Sequence, residues 1–215
     1  MNPRFLIWIA IVFSSLLCGV FFSTRLKNTH HKEVQFSFLK YDVEIQEKNM
    51  GWMICEKKRS ESDPIMTNYI VNSKVVVNMI NTYTIQLNSL STYKNTDLFY
   101  ANYSTKVNGD TQSFCTINWD GSRYAGWDGD ENIVIESQKI NYSIGNIYYK
   151  EPLSQTQIFS EKYMEMCPIS KLGDYYMVSF PDGKSTLYKY QNGICVWAEV
   201  RQKLYKIIFR LKEIK

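Results

Sequence analysis

Histidine is nearly missing from this chain. Its 215 residues include two, His30 and His31, side by side near the start, and no imidazole follows them. A Ser-His-Asp or Cys-His nucleophilic site would have to borrow that pair from a polar stretch, which argues against both chemistries. The same shortage removes the usual zinc patterns; two neighbouring histidines make an incomplete ligand set, and a solvated tether is the better reading of them. C-x-x-C, H-E-x-x-H and G-x-S-x-G are absent, as are a Walker loop and a dinucleotide glycine fingerprint. Glycine and proline are scarce, at 10 and 5 residues, which excludes a collagen-like or low-complexity chain. Charge of one sign is not in excess either: a dispersed formal charge of +4 makes no demand for a nucleic-acid partner. No cofactor, metal or nucleic acid is expected from these counts.

What is abundant is aromatic. With 16 Tyr, 11 Phe and 5 Trp in a chain that is 45% hydrophobic, the composition is that of a folded domain and leans toward pleated structure. The length suits a single domain.

The first feature along the chain is a greasy leader. Arg4 and Arg25 enclose 20 uncharged residues, and Phe5 to Phe22 is interrupted only by Ser14, Ser15 and Gly19. Such a run reaches the length needed to span the hydrocarbon layer, which favours an uncleaved N-terminal membrane helix through residues 5–22 over a cleaved signal peptide. The absence of a clean small-x-small site before Ser23 agrees. Cys18 invites a lipoprotein reading, but Leu17 stands where a small residue would be wanted. The positive-inside count alone would put the rest of the chain in the cytoplasm, with Arg25, Lys27 and Lys32 following the segment. Its place at the extreme N-terminus favours export instead. The expected organisation is a signal anchor or signal peptide over 1–24, a tether over 25–33, and one β-barrel-like domain over 34–215.

From Val34 onward the dominant period is two. Tyr41, Val43 and Ile45 alternate with Asp42, Glu44 and Gln46; Tyr83, Ile85 and Leu87 with Thr84, Gln86 and Asn88; Phe99, Ala101 and Tyr103 with Tyr100, Asn102 and Ser104. Ile194 to Val200 and Tyr205 to Leu211 repeat the pattern. Alternation of this kind makes strands with one buried and one wet face. Asn108-Gly109, Asp120-Gly121, Asp128-Gly129, Asp182-Gly183 and Asn192-Gly193 fall between such runs and suit tight hairpin turns. Asn49-Met50-Gly51 and Asn95-Thr96-Asp97 are expected to turn as well. The prediction is an all-β antiparallel meander of about ten to twelve strands, too many for one flat twisted sheet and so curled into a barrel or half-barrel. One stretch breaks the period. Ile144, Ile147 and Tyr148 follow helical spacing, Ser143 can cap and Pro152 can stop, which predicts a short helix closing one end of the sheet.

Four cysteines lie past the leader: Cys55, Cys115, Cys167 and Cys195. An exported protein could pair them in any of three connectivities, yet a core of this size does not need staples and buried free thiols are preferred. Asp128, Asp130 and Glu131 cluster in a turn, but Ile133 and Lys139 stand where a calcium loop needs Gly and Glu, leaving a solvated hairpin tip. Paired carboxylates remain the only route to a hydrolase, since their separation is spatial. Lys206, Arg210 and Lys212 share one face of the last strand as a solvated stripe.

The ordered series Val107-Asn108-Gly109, Trp119-Asp120-Gly121, Tyr142-Ser143 with Tyr149-Lys150-Glu151-Pro152, Phe159-Ser160-Glu161-Lys162, Phe180-Pro181-Asp182-Gly183-Lys184 and Tyr188 to Cys195 resembles an uncharacterised family of secreted bacterial envelope proteins. The resemblance covers about Tyr41 to Lys212. It implies an export segment followed by a curved antiparallel sheet with no established activity, and it carries no catalytic residue across. The long leader without an evident cleavage site departs from the family pattern. More remotely, the architecture is similar to open-barrel proteins that sort lipoproteins, whose concave face shelters acyl chains.

The expected function is therefore that of a non-enzymatic cell-envelope protein, membrane-anchored or periplasmic, whose curved sheet holds a lipid or other amphiphile. Ile147 and Tyr148 of the helix, with Phe159, are the expected ligand-lining residues; no catalytic or metal residue is expected. The alternative is a structural or interaction protein that docks another envelope component through a sheet face or edge.

Overall fold

A computed structural model describes residues 37–78, 81–135, 139–201 and 206–215. The leader, the tether and His30 and His31 lie outside the described residues, as does the membrane helix expected over 5–22. No helix among the described residues is long and apolar enough to cross a membrane.

The described chain builds fourteen strands: β1 (Phe38–Ile45), β2 (Lys48–Arg59), β3 (Met66–Asn78), β4 (Thr82–Lys94), β5 (Asp97–Val107), β6 (Asp110–Trp119), β7 (Tyr124–Trp127), β8 (Asn132–Ile135), β9 (Gln157–Ser160), β10 (Glu165–Leu172), β11 (Tyr175–Ser179), β12 (Ser185–Gln191), β13 (Ile194–Arg201) and β14 (Lys206–Ile214). All belong to one sheet in the order β8-β7-β6-β5-β4-β3-β2-β1-β14-β13-β12-β11-β10-β9. Two meanders, β1 to β8 and β9 to β14, thus run outward from a central β1–β14 pair, in which Val43 faces Phe209. Every named strand pairing is antiparallel, and the sheet does not close, since β8 and β9 stand at its two ends.

Alternation explains which face is buried. In β1, Leu39, Tyr41, Val43 and Ile45 point into the core and their neighbours do not. The buried cluster around them draws Val71 from β3, Ile169 from β10 and Tyr188 from β12. Residues so far apart in strand order touch only because the sheet curls around its apolar face. A second cluster joins Leu98, Ile117, Tyr124 and Ile135 of β5 to β8 with Phe159 of β9, bringing the sheet's two ends into packing contact without pairing them.

Asn108-Gly109 and Asn192-Gly193 form the expected two-residue turns, with positive φ at all four positions. The first turn differs. Gln46 and Glu47, with φ of 50° and 62°, connect β1 to β2, whereas Asn49 to Gly51 lie within β2. There the register shifts, with Val43 opposite Gly51 and Glu44 opposite Asn49, so that Met50 is the extra residue of a bulge. Gly51 is needed for a different reason than turning: a Cβ there would lie 2.0 Å from the Lys74 carbonyl oxygen of β3. A bulge also corrects the expectation for Phe99. The shift that sets Thr92 opposite Tyr100 and Tyr93 opposite Leu98 leaves Phe99 unpaired and 37% exposed, while Leu98 is buried.

The expected helix over Ser143–Tyr149 is not formed, and the described residues contain no helix. The stretch is a pair of successive turns, with Asn146 N donating to the Ser143 carbonyl (3.2 Å) and Tyr149 N to the Asn146 carbonyl (3.1 Å). Ser143 does cap, its Oγ accepting from Gly145 N at 3.1 Å. Propagation fails because the carbonyls a helix would use are engaged elsewhere. Ile147 O accepts from the Tyr190 hydroxyl and Tyr148 O from Cys195 N, and Pro152, four residues past Tyr148, has no N–H to offer.

The remaining expectations concern thiols and charges. Cys55, Cys115, Cys167 and Cys195 are buried and unpaired. On β14, Arg210 meets Glu44 (3.2 Å), Lys212 meets Asp42 (3.8 Å) and Lys206 meets Glu199 (3.4 Å), so neighbouring strands neutralise the basic stripe. Asp128 Oδ1 accepts from the backbone amides of Asp130 and Glu131, an Asx turn at the hairpin tip.

Gly51→Ala should destabilise the fold by about 2 kcal/mol or more, because backbone rather than a pliable side chain blocks the new methyl. Urea denaturation followed by circular dichroism measures this, and a loss below about 0.5 kcal/mol would show that β2 and β3 can separate locally.

Candidate functional site

The segment from Lys139 to Pro152, which lies between β8 and β9 in the chain, packs across the buried face of the sheet. A chain in that position carries backbone groups that water no longer serves, and each needs a partner. Tyrosines supply many of them. The Tyr124 hydroxyl accepts from Ile140 N (3.0 Å) and donates to Leu98 O (2.9 Å). Tyr190 donates to Ile147 O (2.8 Å), and Tyr93 donates to Ser143 Oγ (2.6 Å). Tyr149, itself in the segment, donates to Cys55 O on β2 (2.6 Å). An extended piece, Tyr142 to Ile144, adds to β9 through Phe159 N to Tyr142 O (3.1 Å) and Ile144 N to Phe159 O (2.9 Å). The segment is thus an internal plug, bolted to both arms of the sheet.

Beside the plug a cavity of about 310 Å³ remains. One wall comes from Met53, Val71, Leu87 and Tyr103 of β2 to β5, and the other from Thr186, Tyr188, Ala198, Val200 and Phe209 of β12 to β14. Ile144, Gly145 and Tyr148 of the plug close it on one side, and the surface it presents is mainly apolar. Gly145 is required there, since a Cβ would fall 2.2 Å from Ser91 Oγ and 2.8 Å from Glu161 Oε1. A second hollow, between the Lys94–Phe99 turn and Trp119 to Gly121, is open and half polar, and Lys139 spans it to reach Asp97 at 3.0 Å.

Glu161 is the ionisable residue inside the cavity, and only 2% of it is exposed. Its Oε1 accepts from Ser143 Oγ (2.5 Å), Ser91 Oγ (2.8 Å) and Gly145 N (3.0 Å). Plug, β4 and the turn after β9 therefore meet at one oxygen. Oε2 takes none of these bonds. No buried polar side-chain atom among the described residues lacks a partner. Burial raises the carboxyl pKa above the ordinary 4.5, and the bonds from Ser143, Ser91 and Gly145 oppose that rise without cancelling it.

The mouth has the opposite character. Lys162 and Tyr163 follow Glu161 in the turn, and Lys184 comes from the β11–β12 turn. Lys162 Nζ donates to the Tyr163 hydroxyl (2.9 Å), which donates to Asp182 Oδ2 (2.6 Å), and Lys184 also pairs with Asp182. Burial tends to raise the Asp182 carboxyl, but hydrogen bonds from Lys184 and Tyr163 outweigh it and hold the pKa down to about 2. Partial desolvation lowers the Lys162 pKa, and the like charge of Lys184 lowers it further.

Of the three residues expected to line a ligand site, Tyr148 lines this cavity. Ile147 and Phe159 are fully buried in the two core clusters and are not among the lining residues. Sequence reasoning missed Glu161, Lys162 and Lys184. They sit in Phe-Ser-Glu-Lys and Pro-Asp-Gly-Lys, which read as ordinary charged turns. The available signal was Ile158-Phe159-Ser160, an edge strand with three consecutive buried residues, since it is covered by the plug instead of facing water on one side.

The family model described as Domain of unknown function (DUF6134) matches residues 41–212. No curated protein matches the chain. Among solved structures the chain is similar to a beta-barrel-like protein of domain of unknown function DUF1849 from Brucella abortus, at 11% identity and a TM-score of 0.51, over 84% of this chain and 97% of that one. At that identity the likeness is one of fold.

Glu161→Gln leaves an oxygen to accept the three bonds but cannot ionise. A carboxyl whose pKa is raised by folding lends stability that is complete below the unfolded value near 4.5 and is lost as pH climbs through the folded value. Urea-denaturation free energies of the parent should therefore fall over that window, by at most about 1.4 kcal/mol per pH unit from this group, relative to the variant. Parallel profiles for parent and variant would show that Glu161 ionises as easily folded as unfolded.

Proposed function

The chain belongs to the DUF6134 domain family, and from that membership, which brings no established activity, we propose that it is a non-enzymatic cell-envelope protein that holds a lipid or other amphiphile within its curved sheet. One observation carries the reading: after the plug has filled most of the concave face, an apolar cavity of about 310 Å³ is left with its charged groups gathered at one end. That volume lies at the lower end of the ~300–1,000 Å³ usual for ligand sites, which suits one chain rather than two. The uncharged run Phe5 to Phe22 supports export and a place at the membrane, anchored or periplasmic. The only acid within the cavity is tied at Oε1 by three donors, an arrangement suited to holding shape more than to shuttling protons.

A second reading has its own support. Edge strand β8 leaves Val134 47% exposed, next to Trp127, which is 41% exposed and stacked edge-on against Phe114. An open edge with apolar neighbours is suited to docking an envelope partner by strand addition.

Lipid extraction and mass spectrometry of the full chain purified from its native membranes should find a single-chain amphiphile in near-stoichiometric amount. Leu87→Trp, which fills the cavity, should lower the bound fraction about tenfold, equivalent to ~1.4 kcal/mol of affinity. An empty protein that instead yields one dominant crosslinked partner at β7–β8 in intact cells would replace the first reading with the second.

A further inference from the structure

The charged groups that line the cavity differ in sign and in burial, and the difference selects a ligand. Inside, Glu161 is the acid, buried and held at Oε1 by three donors. At the mouth stand two ammonium groups, Lys162 and Lys184, against the single carboxylate of Asp182. Lys184 has claimed that carboxylate. Lys162 is left with the Tyr163 hydroxyl at 2.9 Å, and no described carboxylate forms an ion pair with it. Its ammonium lies 4.5 Å from the centre of the Tyr163 ring, and that ring packs at 5.6 Å on Phe180, which also lines the cavity. Cation, aromatic collar and apolar interior therefore follow one another from outside to inside.

We infer that the ligand is a single-chain amphiphile with an anionic head, a carboxylate or phosphate, which seats between Lys162 and Lys184 while its chain passes the Tyr163–Phe180 collar toward Leu87 and Phe209. The inference rests on the amphiphile reading above and adds the sign and place of the head. An anion there satisfies an ammonium that now lacks a charged acceptor, and charge-assisted hydrogen bonds are about twice as strong as neutral ones. It also offsets the repulsion between the two lysines, which together depresses the Lys162 pKa with partial burial. A cationic head would meet that same repulsion, and an uncharged head would leave the excess positive charge in place.

The test uses the full-length protein in nanodiscs of zwitterionic lipid, photolabelled with diazirine-bearing dodecanoate, dodecyl phosphate or dodecanol, and the adducts mapped by peptide mass spectrometry. The two anions should label the cavity-lining strands at least about tenfold more than the alcohol does. The double variant Lys162→Gln/Lys184→Gln, with unchanged thermal unfolding, should bring the ratio close to one. Inorganic phosphate at the same concentration should not compete. Equal labelling by acid and alcohol, or an unchanged ratio in the variant, would overturn the anionic head while leaving an amphiphile site. Full competition by inorganic phosphate would make this a plain anion site. Labelling by none of the three would remove the amphiphile reading itself, and this inference with it.

Discussion

The seating of the plug in the concave face is the constraint on which the other features depend. A sheet of fourteen strands that curls without closing exposes an apolar hollow, and the chain covers the hollow with its own residues 139–152. Covering it with irregular backbone is harder than covering it with a helix, because a helix satisfies its amides internally and a string of turns does not. The missing backbone partners come from outside the segment: the hydroxyls of Tyr124 and Tyr190, the amides of Leu98, Phe159 and Cys195, and the carbonyl of Phe159. Each such bond contributes only about 1 kcal/mol net, but each unmade one would leave a buried polar group unserved at a larger penalty. The excess of tyrosine over other aromatics thus has a physical use. Tyrosine combines ring area for the core with a hydroxyl that reaches the plug.

Glu161 belongs to the same arrangement, which is why the cavity has the shape it has. Its Oε1 gathers donors from β4 and from both ends of the Ser143–Gly145 turn. Gly145 must lack a side chain for these groups to come so close. The plug is therefore held on its cavity side by a carboxyl and on its far side by tyrosines and β9. The apolar cavity remains where neither set of contacts reaches, between β2–β5 and β12–β14.

Much of this was legible beforehand, and the failures share a cause. The alternation in β1 and the Asn-Gly turns at 108–109 and 192–193 are local signals, and local signals decide local structure. Asn49 to Gly51 looked like a turn because Asn and Gly favour one. Their actual role depends on how closely β3 approaches Gly51, a distance that no local pattern encodes. Ser143 to Tyr149 had the spacing and the cap of a helix, yet partners from β9, β12 and β13 claimed its backbone first. Phe159 was expected at a ligand surface on the ground that it is aromatic and strand-borne; lying under the plug at a sheet end, it packs with β5 to β8 instead. Glu161 carried no signal in its own residue type, because burial makes it unusual; the hint lay in the Ile158-Phe159-Ser160 run before it.

The same reasoning separates holding from docking as physical tasks. A docking edge needs unpaired backbone and exposed side chains, and β8 has both in a strand of four residues. A holding site needs enclosed volume whose polar groups are either satisfied or placed where a ligand will satisfy them. The cavity meets that second condition in its buried acid and in its cation: Glu161 is satisfied at Oε1, while Lys162 stands at the mouth, hydrogen-bonded to the Tyr163 hydroxyl and with no described carboxylate in an ion pair with it. An ammonium kept partly desolvated at the entrance to an apolar hollow is the arrangement a ligand with a charged head and a greasy tail would complete.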